Sequence, residues 1–203
     1  MTASETLTVG ILLFPDVEVL DFAGPFEVFS VAGRIAGKGI GATPPPFRVV
    51  TIAASLSPVT ARHGLKVMAG HDFSDAPPID VLIVPGGVMD QPLGDARTLD
   101  WVRDTAARAT LTASVCTGAF VLGEIGLLAG RTATTHWEDV ADLRDRFPAV
   151  TVVDDVPFVD EGHIITSAGI SAGIAMSLHL VGRFAGARLA ALTAKQMQYD
   201  WRA

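Results

Sequence analysis

Continuous runs of apolar residues recur along the chain, and most of them end in a turn signal such as Pro-Asp or Gly-Gly. Such runs are typical of strands buried on both faces of a parallel sheet, because neither face of the strand meets water. They predict strands over residues 7–14, 47–53, 80–87, 111–115, 132–135 and 150–153. Looser alternation around His63-Gly64 and around Asp160-Glu161-Gly162 predicts two hairpins, over residues 59–69 and 158–166.

Helical patterns fill most of the intervals between these strands. They cover residues 18–35, 98–108, 137–147, 171–184 and 188–199, and a further helix begins at residue 117. Residues 37–46 are rich in glycine and proline and predict a loop. Strands that alternate with helices of this length imply a mostly parallel sheet with helices on both faces. We therefore expect one α/β domain over residues 1–203.

Composition narrows the possible classes of function. The chain has 15 Lys and Arg residues against 22 Asp and Glu residues, and the net charge of −7 argues against a nucleic-acid-binding surface. A hydrophobic fraction of 49% and a mean hydropathy of +0.41 are high for a soluble protein. They indicate a sheet buried on both faces, an oligomer interface, or both. The single cysteine allows no internal disulfide and suits a reducing compartment.

Nothing in the sequence predicts secretion or insertion into a membrane. Residues 1–6 are polar and lack the basic and apolar regions of a signal peptide. The longest helix-like apolar stretch, residues 170–185, is too short to span a bilayer and contains His179 and Arg183. We expect a cytoplasmic homodimer whose partner is a small-molecule substrate rather than a nucleic acid or a membrane.

Cys116 lies where a nucleophile would be built. The buried strand 111–115 ends directly before it, an apolar helix begins directly after it, and Gly118 allows the backbone to turn sharply. Unpaired N–H groups and the macrodipole at a helix N-terminus favour a negative charge, so we expect the thiol to ionise readily. The alternative is that Cys116 packs as a small buried hydrophobe, as most free cysteines do.

Other candidate residues also follow strand ends, where ligands bind in open parallel sheets. Asp21 stands among apolar residues, where desolvation would raise its pKa and suit it to proton exchange; alternatively, it caps a helix. The N–H groups of Gly86, Gly87 and Thr117 are candidates for holding negative charge on a bound intermediate. A plain tight turn and an early-helix residue are the alternatives for these positions.

The histidines give weaker signals. The residue after Cys116 is Thr117 rather than the histidine of a Cys-His hydrolase. His136 follows a strand and could reach the pocket, although a capping or structural role is the simpler interpretation. His179 is most simply a hydrogen-bonded core residue. No residue spacing predicts a metal site or a phosphate-binding loop, so we expect no cofactor.

Several segments, spread in order over about residues 7–185, resemble the ThiJ/PfpI superfamily. They are Phe14-Pro15 with Leu20-Asp21-Phe22-Ala23-Gly24-Pro25, Asp80-Val81-Leu82-Ile83-Val84-Pro85-Gly86-Gly87, Ser114-Val115-Cys116-Thr117-Gly118, Ala133-Thr134-Thr135-His136-Trp137 and Ile165-Thr166-Ser167-Ala168-Gly169-Ile170-Ser171-Ala172-Gly173-Ile174. The Cys-Thr-Gly elbow with Asp21 is similar to the isocyanide hydratase branch. It is equally similar to the amidase-like sensor half of AraC-type regulators.

The resemblance implies a flavodoxin-like three-layer α/β/α sandwich of the class I glutamine amidotransferase type, usually dimeric. It implies a hydro-lyase in which Cys116 attacks an isocyanide carbon and Asp21 acts as general acid and base. Thr117 would assist them, and Gly86, Gly87, Gly118, His136 and Trp137 would contact the substrate or a developing charge. A non-catalytic ligand sensor and a cysteine-based redox protein remain alternatives. Ala175 stands where this branch has an acidic residue, so we expect altered packing or polar contacts behind the elbow.

Overall fold

The computed structural model describes residues 6–37 and 44–201. Its strands are β1 (Leu7–Leu12), β2 (Phe47–Ala53), β3 (Val59–Thr60), β4 (Lys66–Val67), β5 (His71–Asp72), β6 (Val81–Val84), β7 (Leu111–Val115), β8 (Thr132–Ala133), β9 (Thr151–Val152), β10 (Phe158–Asp160) and β11 (Ile164–Ser167). The helices are α1 (Val19–Ile35), α2 (Asp90–Gly94), α3 (Ala96–Ala106), α4 (Gly118–Glu124), α5 (Val140–Arg146), α6 (Ala172–Ala185) and α7 (Ala187–Gln196).

Seven of these strands form the central sheet, in the order β10-β11-β7-β6-β1-β2-β5. All neighbouring pairs are parallel except β10 with β11. The central strands are buried throughout their length because helices cover them: α1, α6 and α7 pack together as one group, and α2 contacts both α3 and α4 in another. This is the predicted flavodoxin-like α/β sandwich with a mostly parallel sheet.

The observed elements differ from the predicted ones in the bounds of several strands, such as β1 and β6, and in two additional short elements. Strands β2 and β7 have the predicted bounds, and both predicted hairpins are present as β3–β4 and β10–β11. The short elements β5 and α2 were not predicted. Most of the predicted loop at 37–46 lies outside the described residues. No helix of the described chain is long and apolar enough to cross a membrane.

The sheet order creates a crevice between β1 and β6. Strand β1 pairs with β2 on one side and with β6 on the other, and β6 pairs with β7. The connections leaving β1 and β6 therefore run in opposite directions, which is the topological switch point where open α/β sheets bind ligands. The segments that follow β1, β6 and β7 carry Asp21, Gly86 and Cys116, and the fold gathers them at this edge.

Candidate active site

Cys116 occupies the turn between β7 and α4 in a strained conformation. Its φ is 56°, in the left-handed region that non-glycine residues seldom adopt. Two long-range hydrogen bonds hold it there: its N–H donates to the carbonyl of Ser167 at 3.0 Å, and the Thr135 hydroxyl donates to its carbonyl at 2.9 Å. Strain maintained by the surrounding structure is typical of functional sites and positions the sulfur at the end of the sheet.

Gly118 brings the elbow into direct contact with the neighbouring strand. A Cβ atom at this position would stand only 2.1 Å from the carbonyl oxygen of Val84 and 2.9 Å from that of Pro85. Only glycine therefore allows α4 to begin against the end of β6. The clear role of Gly118 is this close approach, and its predicted contact with substrate stays a prediction.

Asp21 lies in the first turn of α1 and is fully buried. The N–H of Gly86 donates to its Oδ2 at 3.1 Å, whereas Oδ1 has no hydrogen-bond partner in the described structure. The alternative interpretation of Asp21 as a helix cap is wrong, because the side chain of Glu18 accepts from the Val19 N–H and takes that role. A buried carboxyl oxygen without a partner is free to serve a substrate or a water molecule.

Burial dominates the titration of both reactive groups. It raises the pKa of Asp21 to about 7, although the Gly86 hydrogen bond opposes the rise. Burial also raises the pKa of the Cys116 thiol, and the negative charge of Asp21 raises it further, while the Thr117 N–H opposes both. The expectation that the helix N-terminus would lower the thiol pKa is therefore not met, since desolvation outweighs the helix. A carboxyl group that titrates near pH 7 beside this thiol is suited to taking up and returning its proton.

Thr117 links the elbow to the loop after β6. Its hydroxyl accepts from the N–H of Gly87 at 2.9 Å and donates to the carbonyl of Gly87 at 3.0 Å. The N–H groups of Gly86 and Gly87 are thus both occupied, by Asp21 and Thr117. This differs from our expectation that these two donors would face a bound intermediate. In this structure they fix the carboxylate and the elbow instead.

We expect Thr117→Val to lower the free energy of unfolding by about 1 to 3 kcal/mol, because it leaves the Gly87 N–H without its acceptor. Urea denaturation followed by circular dichroism measures the loss. Thr117→Ser retains the hydroxyl and is the matched control, with a loss of less than about 1 kcal/mol. A loss in Thr117→Ser without a loss in Thr117→Val would show that the methyl group of Thr117, not its hydroxyl, stabilises the elbow.

His136 lies at the same site as the thiol. A Cβ on Gly169 would stand 2.5 Å from the Cδ2 of His136 and 2.8 Å from the Sγ of Cys116, so both groups border one point. The Nδ1 of His136 is 3.3 Å from a carboxylate oxygen of Asp139 and 3.7 Å from one of Glu138. Trp137, the next residue, is 74% exposed.

Some residues of this site could not be identified from the sequence alone. The sequence pattern does not mark Gly169, Glu138 or Asp139 as site residues, because only the folded chain brings their segments close to Cys116. Burial raises the pKa of Asp139 as well. The described residues contain no cluster of His, Cys, Asp or Glu that could hold a metal ion.

Two other predictions concern helix α6. His179 is hydrogen-bonded as expected, to Asp160 at 2.7 Å, but its side chain is 36% exposed rather than buried in the core. Ala175 lines a surface cavity of about 590 Å³ together with Phe158, His179 and Trp201. The cavity lining does not include Cys116 or Asp21, so Ala175 borders a surface outside the candidate site.

A buried cysteine held in a strand–helix elbow, with a buried carboxyl group from the first turn of α1 beside it, defines a flavodoxin-like α/β protein with a cysteine elbow. A model of the DJ-1/PfpI family matches residues 7–183. An isonitrile hydratase from Pseudomonas putida is 40% identical over 194 residues, which is 95% of this chain and 78% of that protein. The chain therefore belongs to the DJ-1/PfpI family.

Two further comparisons give a solved structure and a transcriptional regulator that are similar to this chain. The crystal structure of a ThiJ/PfpI family protein from Pseudomonas syringae matches 99% of this chain and 78% of its own, with a TM-score of 0.84 and 29% identity. The transcriptional regulator GbdR of Pseudomonas aeruginosa, of the helix-turn-helix type, is 28% identical over 193 residues. These residues are 95% of this chain but 51% of the regulator, so the likeness covers about half of that protein.

Proposed function

We propose that the protein is a cofactor-independent cysteine enzyme that hydrates an isocyanide to an N-substituted formamide. The observation that carries the proposal is the buried carboxyl group of Asp21, with a pKa of about 7, next to the Cys116 thiol. Such a pair provides a nucleophile and a proton carrier without a metal or cofactor. The 40% identity to a protein named isonitrile hydratase supports this choice of substrate.

The reaction can be written with these two side chains alone. The Asp21 carboxylate takes the thiol proton, the sulfur forms a bond to the terminal carbon of R–N≡C, and Asp21 returns the proton to that carbon. The product of this step is a thioimidate, R–N=CH–S–Cys116. Asp21 then removes a proton from water as the water adds to the same carbon, and the proton passes to nitrogen. Cleavage of the carbon–sulfur bond releases R–NH–CHO and the thiolate, which is protonated again.

We expect the purified protein to convert an uncharged alkyl isocyanide to its formamide, measured by chromatography of the product. Cys116→Ala should remove turnover completely, because no other cysteine is present. Asp21→Asn should reduce kcat by about 10²- to 10⁴-fold, the usual contribution of a general acid and base. Turnover that persists in Cys116→Ala would contradict the mechanism, and no turnover by the wild type across several isocyanides would contradict the function.

The likeness to the regulator GbdR favours one second candidate, a domain that binds a ligand without transforming it. The same assay separates the two: saturable binding of an isocyanide or formamide with no product formed would favour the sensor. We also propose that the protein is a cytoplasmic homodimer. The single cysteine suits a reducing compartment, and the high mean hydropathy suits an apolar interface between subunits. Sedimentation velocity at micromolar concentration tests the dimer, and a monomer would contradict it.

A further inference from the structure

Several exposed apolar side chains belong to residues that directly adjoin site residues in the sequence. Eight large hydrophobic residues are exposed among the described residues, and half of them are direct sequence neighbours of a site residue. These four, which we call the apolar rim, are Leu20 beside Asp21, Val88 beside Gly87, Trp137 beside His136 and Ile170 beside Gly169. A group of exposed apolar side chains around a buried reactive centre is typical of a site that binds an apolar molecule.

Two acidic residues directly follow Trp137 of this rim in the sequence. Glu138 and Asp139 both face the Nδ1 of His136, and the ring of His136 borders the same point as the Cys116 sulfur. Even a protonated His136 would balance only one of the two carboxylates. The charge of Asp139 also acts on the thiol, whose pKa it raises in addition to the larger effects of burial and of Asp21.

The groups on the other side of the site do not offset this charge. Glu18 lies before α1 and is paired with Arg62, with 3.5 Å between Oε2 and the guanidinium nitrogen. The cation of Arg62 is therefore already balanced by a neighbouring carboxylate. Asp142, on α5, adds a further negative charge that is felt at Asp139. The charged groups around Cys116 therefore carry a net negative charge, and the whole chain has a net charge of −7.

We propose that Glu138 and Asp139 make the entrance to Cys116 select against anionic molecules, so that the site takes an uncharged substrate with an apolar substituent. As a statement about substrates this rests on the proposed hydratase function. As a statement about access to the thiol it does not, because any small electrophile must approach Cys116 through the same electrostatic field.

Two alkylating reagents that differ in charge test the selection directly. Iodoacetamide and iodoacetate present the same reacting carbon, and Cys116 is the only cysteine that they can modify. The ratio of their second-order rate constants is measured at one pH, and the same ratio is measured for an uncharged peptide thiol. The fraction of thiolate cancels in each ratio. At low ionic strength we expect iodoacetate to be disfavoured at Cys116 by an additional factor of about three to ten, and this factor should shrink in about 0.5 M salt.

Charge-neutralising variants show which residues are responsible. The double variant Glu138→Gln with Asp139→Asn should bring the ratio close to that of the peptide thiol. Asp104, on α3, lies near Asp80, which precedes the amino end of β6, whereas Cys116 follows the carboxyl end of β7. Asp104→Asn therefore removes one negative charge far from Cys116 and should leave the ratio unchanged. A wild-type ratio equal to that of the peptide, a ratio insensitive to salt, or an unchanged ratio in the double variant would each overturn the inference.

A pair of isocyanides keeps this inference separate from the proposed function. Isocyanoacetate carries a carboxylate and its methyl ester does not, and we expect the ester to have a kcat/KM at least about threefold higher. If the anion and the ester are hydrated equally fast, the inference fails and the hydratase function stands. If neither is hydrated but the alkylation ratio behaves as expected, the function fails and the selection stands.

Discussion

The variant Gly118→Ala is expected to lose about 3 kcal/mol or more of unfolding free energy, one of the largest effects that the structure predicts for a single methyl group. The added Cβ would stand 2.1 Å from the Val84 carbonyl oxygen and close to the Pro85 backbone. Both obstacles are backbone atoms at the end of a buried central strand, so they cannot rotate away as a side chain would. The helix α4 would have to move, and Cys116 with it.

A second glycine variant provides the control for this prediction. Gly94→Ala places the same methyl group at the last residue of α2, where no atom lies within 4 Å. Because alanine restricts the unfolded chain and favours helix, this variant should gain about 0.5 kcal/mol. Urea denaturation of both variants measures the difference. Similar unfolding midpoints for Gly118→Ala and the wild type would show that the elbow does not need this close approach.

The elements that the sequence predicted best are those whose burial is continuous. The strand 111–115 was predicted to the residue because every position in it is apolar or small and the structure buries all of them. By contrast, β5 is a two-residue pairing with the end of β2, and α2 contains Pro92 and Gly94. Neither has a periodic pattern of its own, and both depend on contacts that the rest of the fold provides.

The sequence predicts which residues form the candidate site better than it predicts their pKa values. Cys116 and Asp21 were identified because each lies at a strand end in an apolar context. The direction of the thiol pKa was predicted from the local helix terminus, whereas burial and the charge of Asp21 decide it in the folded chain. The residues Gly169 and Asp139 were missed for a similar reason, since only long-range packing brings them close to Cys116.

The free energy of unfolding of the wild type is expected to fall between about pH 4 and pH 7 because of Asp21. The pKa of this carboxyl is 3.8 when it is unperturbed and about 7 in the folded protein. In this interval the unfolded chain has released the proton while the folded chain still holds it, so stability falls as pH rises. Since one pKa unit corresponds to about 1.4 kcal/mol, the total loss is on the order of 4 kcal/mol and is complete above pH 7.

Asp21→Asn should remove this loss. The amide oxygen of asparagine can still accept from the Gly86 N–H, but the buried group no longer ionises. The variant and the wild type should therefore be about equally stable near pH 4, and the variant should be more stable by about 2 to 4 kcal/mol at pH 8. Urea denaturation of both proteins at several pH values gives the difference directly, and contributions from all other groups cancel in it.

Asp160→Asn is a control for which the pH dependence of the unfolding free energy is expected to have the opposite sign. Burial favours the neutral form of Asp160, but hydrogen bonds from His179 and the Gly162 N–H, with the charge of Arg183, lower its pKa overall. Its carboxylate therefore stabilises the fold above the unfolded pKa, and this contribution is lost as pH falls through the folded pKa. Asp160→Asn should destabilise the protein at neutral pH and less so in acid. If Asp21→Asn followed the same trend as Asp160→Asn, then Asp21 would be a stabilising ionised carboxylate, and the proton carrier proposed beside Cys116 would have to be another group.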